Sequence, residues 1–194
     1  MTIAQACFGA GGVDSTYVNC IFDRSRITAS APGRARFERC SFRNTRFEEL
    51  NCREVEFIDC TFSGVIRRAI FSGTVSPDAV AATGRDRNEF RGNDFRQATL
   101  LDVAFRTGID LNQQKVPEGE EYIYAPDAEE FLTLLRAAPQ GVAGADSKKL
   151  EVLVQMIERE IVRGQRQIFY SINGFTREFR GTLTAVRALL AKKQ

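Results

Sequence analysis

Residues 41–60 read SFRNTRFEELNCREVEFIDC, and large apolar residues recur in this stretch at every fifth position. Three of them are Phe42, Phe47 and Phe57, and Cys52 holds the same place between Phe47 and Phe57. An amphipathic helix needs a period of about 3.6 and a half-buried strand a period of about 2, so neither explains the pattern. A fixed short period is instead the signature of a repeat architecture.

The five-residue frame extends well beyond this stretch. Nine of the 15 phenylalanines share one column of the frame with Leu100. We predict that this column forms the core, with the members Phe22, Phe37, Phe42, Phe47, Phe57, Phe62, Phe90, Phe95, Leu100 and Phe105. A second column, two positions upstream, consists mostly of small residues and includes Cys20, Cys40 and Cys60. The remaining positions are mainly charged or polar, which is typical of a solvent-facing surface.

This pattern resembles the pentapeptide-repeat family, whose motif is a small residue, a polar residue, Leu or Phe, and two variable positions. The clearest matches are Cys40-Ser-Phe42, Thr45-Arg-Phe47, Cys60-Thr-Phe62 and Ala98-Thr-Leu100. The resemblance covers roughly residues 15–110. It implies a mainly β fold, a right-handed parallel β-helix of square cross-section, in which Phe22, Phe42 and Phe62 stack on successive coils. It leaves the function open, because one fold hosts many functions.

The frame is interrupted after Phe62. Residues 73–88 contain Gly73, Pro77 and Gly84 and show no five-residue rhythm, which predicts a loop. Insertions in a solenoid project from one face, often the face that binds a partner. The alternative is an ordinary solvated connection. The candidate partner-binding residues are the arginines beside this loop, Arg67, Arg68, Arg85 and Arg87.

The second half of the sequence has helical patterns. We expect residues 1–112 to form the repeat domain, residues 113–141 a linker and capping helix, and residues 142–194 a C-terminal helical segment. Gly164 and Gly174 leave two alternatives for the last segment, a helical hairpin or one long helix with coiled-coil character. Its apolar stripe is the candidate oligomerisation seam and consists of Ile168, Ile172, Phe175, Phe179, Val186 and Leu189.

The composition narrows the class of function. The 194 residues include no His, so the commonest general base and the commonest neutral metal ligand are absent. No catalytic motif is visible, and we predict a protein without enzymatic activity, metal or cofactor. The five cysteines, an odd number, favour a reducing compartment, and no apolar run approaches the roughly 20 residues that span a bilayer. We therefore expect a cytoplasmic protein.

Cys20, Cys40 and Cys60 are the most suggestive cluster for metal binding, because the implied fold stacks them. Metal ligands must converge on one point, whereas stacked side chains run parallel. A free cysteine also behaves as a small buried hydrophobe, which is what the small column needs. We interpret the three cysteines as core residues.

These observations predict an interaction scaffold, in which a rigid β-helix binds a protein partner and the helical tail mediates homo-oligomerisation or docking. The resemblance implies one alternative, a DNA gyrase or topoisomerase protector that mimics DNA. Residues 1–112 carry 15 basic and 14 acidic residues, whereas a phosphate mimic should be strongly negative. Residues 147–194 carry ten basic and four acidic residues, so docking of this basic tail to nucleic acid or a membrane is a further alternative.

Overall fold

Two parallel sheets alternate along the first part of the chain in a computed structural model that describes residues 2–4, 14–30, 32–137 and 146–191. Sheet A contains, in order, β1 (Thr2–Ala4), β3 (Arg26–Ser30), β5 (Ser41–Cys52), β7 (Thr61–Ser72) and β9 (Asp94–Arg106). Sheet B contains β2 (Ser15–Val18), β4 (Ala35–Glu38), β6 (Glu56–Ile58) and β8 (Phe90–Arg91). Every pairing in both sheets is parallel. This arrangement is a β-helix type of fold.

The phenylalanines of the repeated column stack on one another from coil to coil. The ring centroids of Phe22 and Phe42 are 5.0 Å apart, those of Phe42 and Phe62 are 5.1 Å apart, and the rings are nearly parallel. Phe62 stacks in turn on Phe95, with the centroids 4.4 Å apart. Such aromatic pairs contribute about 0.5–1.5 kcal/mol each beyond the burial of their surface.

Most of the predicted core residues are buried. The fully buried members are Phe37, Phe42, Phe47, Phe57, Phe62, Phe90, Phe95, Leu100, Phe105, Cys40 and Cys60. Phe22 and Cys20 are half-buried and pack against the same core. These two residues lie close to β2, which pairs with β4 alone among the described strands, so fewer coils cover them.

The repeat shortens by one residue at Gly64. Phe42 pairs with Phe62, but Thr45 pairs with Gly64, so the offset between β5 and β7 falls by one. Gly64 has a φ of 92°, and a Cβ atom there would lie 2.4 Å from the carbonyl oxygen of Thr45. Glycine alone tolerates both conditions, and the residues that follow return to the core in the shifted frame.

The segment 73–88 contains a short helix, α1 (Pro77–Thr83), so the prediction of a loop is wrong for these residues. Pro77 is favoured in the first helical turn for two reasons. Its fixed φ suits a helix, and an N–H group at this position would have no carbonyl partner within the helix. Gly84 ends the helix in the left-handed conformation that commonly terminates helices.

Two buried asparagines restore the backbone hydrogen bonds on either side of the insertion. The Nδ2 atom of Asn88 donates to the carbonyl oxygens of Arg53 and Ser72. The Nδ2 atom of Asn93 donates to the carbonyl oxygen of Phe57, while its Oδ1 atom accepts from the Cys60 N–H. These amides satisfy buried backbone groups that would otherwise be left unpaired.

The C-terminal half combines helices with a small antiparallel sheet. It contains β10 (Tyr122–Ala125), α2 (Ala128–Ala137), α3 (Ser147–Val162), β11 (Ile168–Ser171) and α4 (Arg177–Ala191), and β10 pairs with β11. The expected helical hairpin and the expected long coiled-coil helix are therefore both wrong. Gly164, with a φ of 85°, follows the end of α3, and residues 168–171 are β-branched or aromatic in three of four places, which favours a strand.

The β10–β11 pair covers the end of the repeat stack, where an open coil would expose its core. Tyr122 stacks on Phe169 with the ring centroids 5.3 Å apart, and Phe169 meets Phe105 edge-on at 6.0 Å. The N–H of Leu100 donates to the Tyr122 hydroxyl over 3.3 Å. The sequence predicts a capping helix in this region, but α2 packs in a separate core instead.

That second core lies between α2, α3, α4 and the outer face of the β10–β11 pair. Its fully buried members include Ile123, Phe131, Leu153, Ile157, Leu183 and Val186. Within the ranges described, no helix has the combination of length and hydrophobicity that crossing a membrane requires.

We predict that Phe62→Ala lowers the free energy of unfolding by about 3–5 kcal/mol. The ring is 1% exposed and stacks between Phe42 and Phe95, so its loss leaves a cavity in the middle of the column. Urea denaturation followed by circular dichroism measures the change. Ile21→Ala is the control, because Ile21 is 77% exposed and should change stability by less than about 0.5 kcal/mol. Equal effects in the two variants would contradict the assigned core.

Candidate functional site

Two of the four arginines predicted to bind a partner contact other residues of the same chain. The Nη2 atom of Arg85 donates to the carbonyl oxygen of Glu54 over 2.8 Å, and its Nε atom lies 3.5 Å from the Glu56 carboxylate. The Nη2 atom of Arg87 donates to the carbonyl oxygen of Gly108 over 3.1 Å. Arg85 and Arg87 therefore hold the insertion against the repeat stack, and their assignment to a partner surface stays a prediction.

The charges on sheet B neutralise one another. Nη1 of Arg36 lies 3.2 Å from the Glu56 carboxylate and 2.8 Å from the Glu89 carboxylate. Arg91 also contacts Glu89 at 2.7 Å. Hydrogen bonds from Arg36 and Arg91 lower the pKa of Glu89. This face therefore presents little unbalanced charge.

The other two predicted arginines lie on sheet A, where they meet an unbalanced cluster. The guanidinium groups of Arg26 and Arg46 each lie 3.6 Å from Oε2 of Glu48. Arg68 lies 3.1 Å from Oε1 of the same carboxylate, and the strand register places Arg67 directly opposite Glu48. We name Arg26, Arg46, Arg67 and Arg68 the basic face.

The basic face carries more positive charge than its acidic neighbours can balance. Glu48 contacts three of its arginines, and Glu49 contacts Arg68 alone, at 2.9 Å. The Glu48 side chain is 18% exposed, whereas those of Arg26, Arg46 and Arg68 are 50–56% exposed. The guanidinium groups thus reach solvent, while the carboxylate at their centre stays close to the sheet.

The sequence prediction missed Arg26 and Arg46, although a signal for them was available. Residues at equivalent positions of successive coils stack on one another, and this holds for the polar positions as well as for the apolar columns. Arg26 pairs with Arg46 in the same register that pairs Ile27 with Phe47. Applying the repeat spacing to polar residues would have placed the two arginines on adjacent strands.

The stacked cysteines belong to the core. Burial raises the pKa of the Cys60 thiol to about 12 and also raises the pKa of Cys52. The Sγ atom of Cys40 donates to the carbonyl oxygen of Tyr17 over 3.3 Å. Thiols that stay protonated are poor nucleophiles and poor ligands. Among the residues with described positions, no group of three or more Cys, Asp or Glu side chains is arranged to hold a metal ion.

The predicted oligomerisation seam is covered within the chain. Ile168, Ile172 and Val186 are buried in the second core, and Phe175, Phe179 and Leu189 are partly buried against it. Ile168 lies in β11 rather than in a helix, so the stripe does not form a continuous coiled-coil seam. Since the stripe already has a partner, it provides no reason to invoke a second copy of the chain.

Residues 35–74 match the family model described as pentapeptide repeats, with eight copies. The chain carries pentapeptide repeats. The match confirms, over residues 35–74, the resemblance drawn from the sequence motifs. The pentapeptide repeats run from β4 to β7 and contain Arg46, Arg67 and Arg68 of the basic face. No curated protein matches the chain.

We predict that Arg85→Ala loosens the insertion without unfolding the pentapeptide-repeat stack. The change removes the hydrogen bond to the Glu54 carbonyl and the contact with Glu56. Amide hydrogen exchange in α1 should accelerate by roughly tenfold, as measured by mass spectrometry. Arg96→Ala is the control, because Arg96 lies on β9 and pairs with Asp94 of the same strand. Unchanged exchange in α1 would show that Arg85 does not hold the insertion.

We predict that Leu183→Ala lowers the free energy of unfolding by about 2–5 kcal/mol and leaves the oligomeric state unchanged. Leu183 is fully buried in the second core, beside the predicted seam. Chemical denaturation and light scattering measure the two properties. Val152→Ala, at a position 47% exposed on α3, is the control for stability. A change in molar mass at unchanged stability would instead identify the α4 stripe as an interface between copies.

Proposed function

We propose that this chain is a non-enzymatic interaction scaffold whose basic face binds an acidic surface on a protein partner. The observation that carries the proposal is that Arg26, Arg46 and Arg68 share the single carboxylate of Glu48. Proteins with pentapeptide repeats are generally of the interaction or scaffold type, which agrees with this proposal.

The partner chemistry follows from the guanidinium group. Arginine presents several N–H donors in a plane, and it binds carboxylates through paired hydrogen bonds. Glu48 can occupy few of the donors that its three neighbours offer, so most of them remain available to carboxylates of another protein. Binding through exposed charges weakens as the salt concentration rises.

The scaffold role needs a rigid support, and the strand order favours one. Successive strands alternate between sheet B and sheet A from β2 to β9. We propose that these strands form a closed right-handed solenoid, because connections between parallel strands are right-handed in nearly all cases. The stacked phenylalanines would then hold the arginines at constant spacing along one side.

The cellular setting is part of the same proposal. Cys20, Cys40, Cys52 and Cys60 are free thiols. Unpaired cysteines persist in reducing compartments, so we propose a cytoplasmic partner. The apolar stripe of the helical tail packs within the chain, so we do not propose that it mediates oligomerisation. Lys192 and Lys193 of the basic tail lie outside the described residues.

The test compares two double variants that remove the same charge from different places. Arg46→Gln with Arg67→Gln weakens the basic face, and Lys148→Gln with Arg177→Gln removes two exposed charges from the C-terminal helices. Each protein serves as bait for capture from a bacterial lysate, and mass spectrometry identifies what is retained. We expect retention of the main partner to fall about fivefold or more with the first variant alone.

Three results would contradict the proposal. If both variants retain the partner equally, and thermal melts show that both are folded, the basic face does not take part in binding. If only the variant altered at Lys148 and Arg177 loses the partner, the helical tail is the binding surface. Recovery of nucleic acid without protein would favour the tail-docking alternative, whereas recovery of a topoisomerase subunit on the basic face would name the partner.

A further inference from the structure

A cavity of about 370 Å³ lies where the end of β9 meets the C-terminal helices. Its walls come from β9, the second half of α3, β11 and Phe175. One edge of β11 pairs with β10. Residues 167–171 all line the cavity, which is expected if the opposite edge of β11 faces it. The volume is in the range of small-molecule sites in proteins.

Buried polar atoms without partners concentrate around this cavity. Glu160 Oε2, Tyr170 OH and Ser171 Oγ are buried and have no hydrogen-bond partner among the described residues, and the buried Arg106 Nε has an ion-pair contact with Glu160 but no hydrogen bond. All four side chains line the cavity. One other such atom, Arg85 Nε, occurs in the described part of the chain. Since buried polar groups are nearly always paired in folded proteins, this concentration points to a ligand.

The charged groups of the cavity are arranged for a ligand that carries both signs of charge. Arg106 Nε lies 3.3 Å and Arg163 Nη1 lies 3.5 Å from Glu160 Oε1, which leaves Oε2 as a free acceptor. The Arg106 and Arg163 side chains are 38% and 52% exposed. Each guanidinium group has further N–H donors besides the nitrogen that faces Glu160, and these donors can bind a second carboxylate.

The rest of the wall combines the polar side chains of Asp102, Arg159 and Gln167 with apolar ones. Met156 and Phe169 line it, and Tyr170 packs edge-on against Phe175 with the ring centroids 5.6 Å apart. Burial and the Glu160 carboxylate raise the pKa of the Tyr170 phenol. The phenol therefore stays neutral and can both donate and accept a hydrogen bond.

We propose that this cavity binds a free α-amino acid with an apolar side chain. Its carboxylate contacts Arg106 and Arg163, its ammonium group donates to Glu160 Oε2, and its side chain packs against Met156 and Phe175. This inference does not rest on the proposed scaffold function, because the basic face and the cavity share no residue.

Met156 provides a reporter at the site. The chain contains two methionines, Met1 and Met156, so selective ¹³C-methyl labelling gives at most two signals. The protein is titrated with L-phenylalanine and with two analogues, 3-phenylpropionate, which lacks the ammonium group, and 2-phenylethylamine, which lacks the carboxylate. We expect a saturable shift of the Met156 signal with L-phenylalanine and about tenfold or greater loss of affinity with each analogue.

A matched pair of variants tests the acidic residue. Glu160→Gln keeps the shape of the side chain and should weaken L-phenylalanine binding by about tenfold or more. Glu158→Gln on the same helix is the control, because Glu158 pairs with Arg136 and does not line the cavity. The proposal is overturned by the absence of a saturable shift with L-phenylalanine, or by equal binding of the two analogues to the unaltered protein. The analogue comparison is decisive even where Glu160→Gln impairs folding.

Discussion

The stacking of phenyl rings at equivalent positions of successive coils is the constraint on which the rest of this structure depends. Phe22, Phe42, Phe62 and Phe95 form one continuous column, and each ring lies 4.4–5.1 Å from the next. A side chain of another size at one level would change the packing at the levels above and below, because protein interiors are close-packed. Because hydrogen-bonded strands lie about 4.8 Å apart, the outward residues of successive coils repeat at nearly the same spacing as the rings.

Each departure from the five-residue rhythm is accompanied by a residue that repairs its consequence. The repeat is one residue shorter at Gly64, and the backbones of β5 and β7 approach so closely there that a Cβ atom on residue 64 would collide with Thr45. The insertion breaks the ladder, and the amides of Asn88 and Asn93 take over its hydrogen bonds. The rings on both sides of the insertion therefore remain in register, and Phe62 still stacks on Phe95.

The same packing links the repeat stack to the two sites proposed above. The regular outward positions of sheet A bring Arg26 and Arg46 beside one carboxylate, where repulsion between like charges is only partly relieved. At the C-terminal end of the repeat stack, Phe169 packs against Phe105, while its neighbour Tyr170 packs against the second core. The boundary between the repeat core and the second core contains polar atoms without hydrogen-bond partners. A boundary packed only with apolar side chains would contain none.

The sequence by itself determined the repeat, its core and its overall charge balance, because each fifth residue such as Phe42 or Phe57 reports locally which side of the chain faces inward. It did not determine what Arg85 contacts, because Glu56 is reached only when the insertion folds back. Nor did it reveal that Ile168 begins a strand, since that strand needs β10 as its partner. The tertiary structure decided where unbalanced charge remains, what covers the helical stripe and where the cavity lies, because all three depend on contacts between residues distant in the sequence.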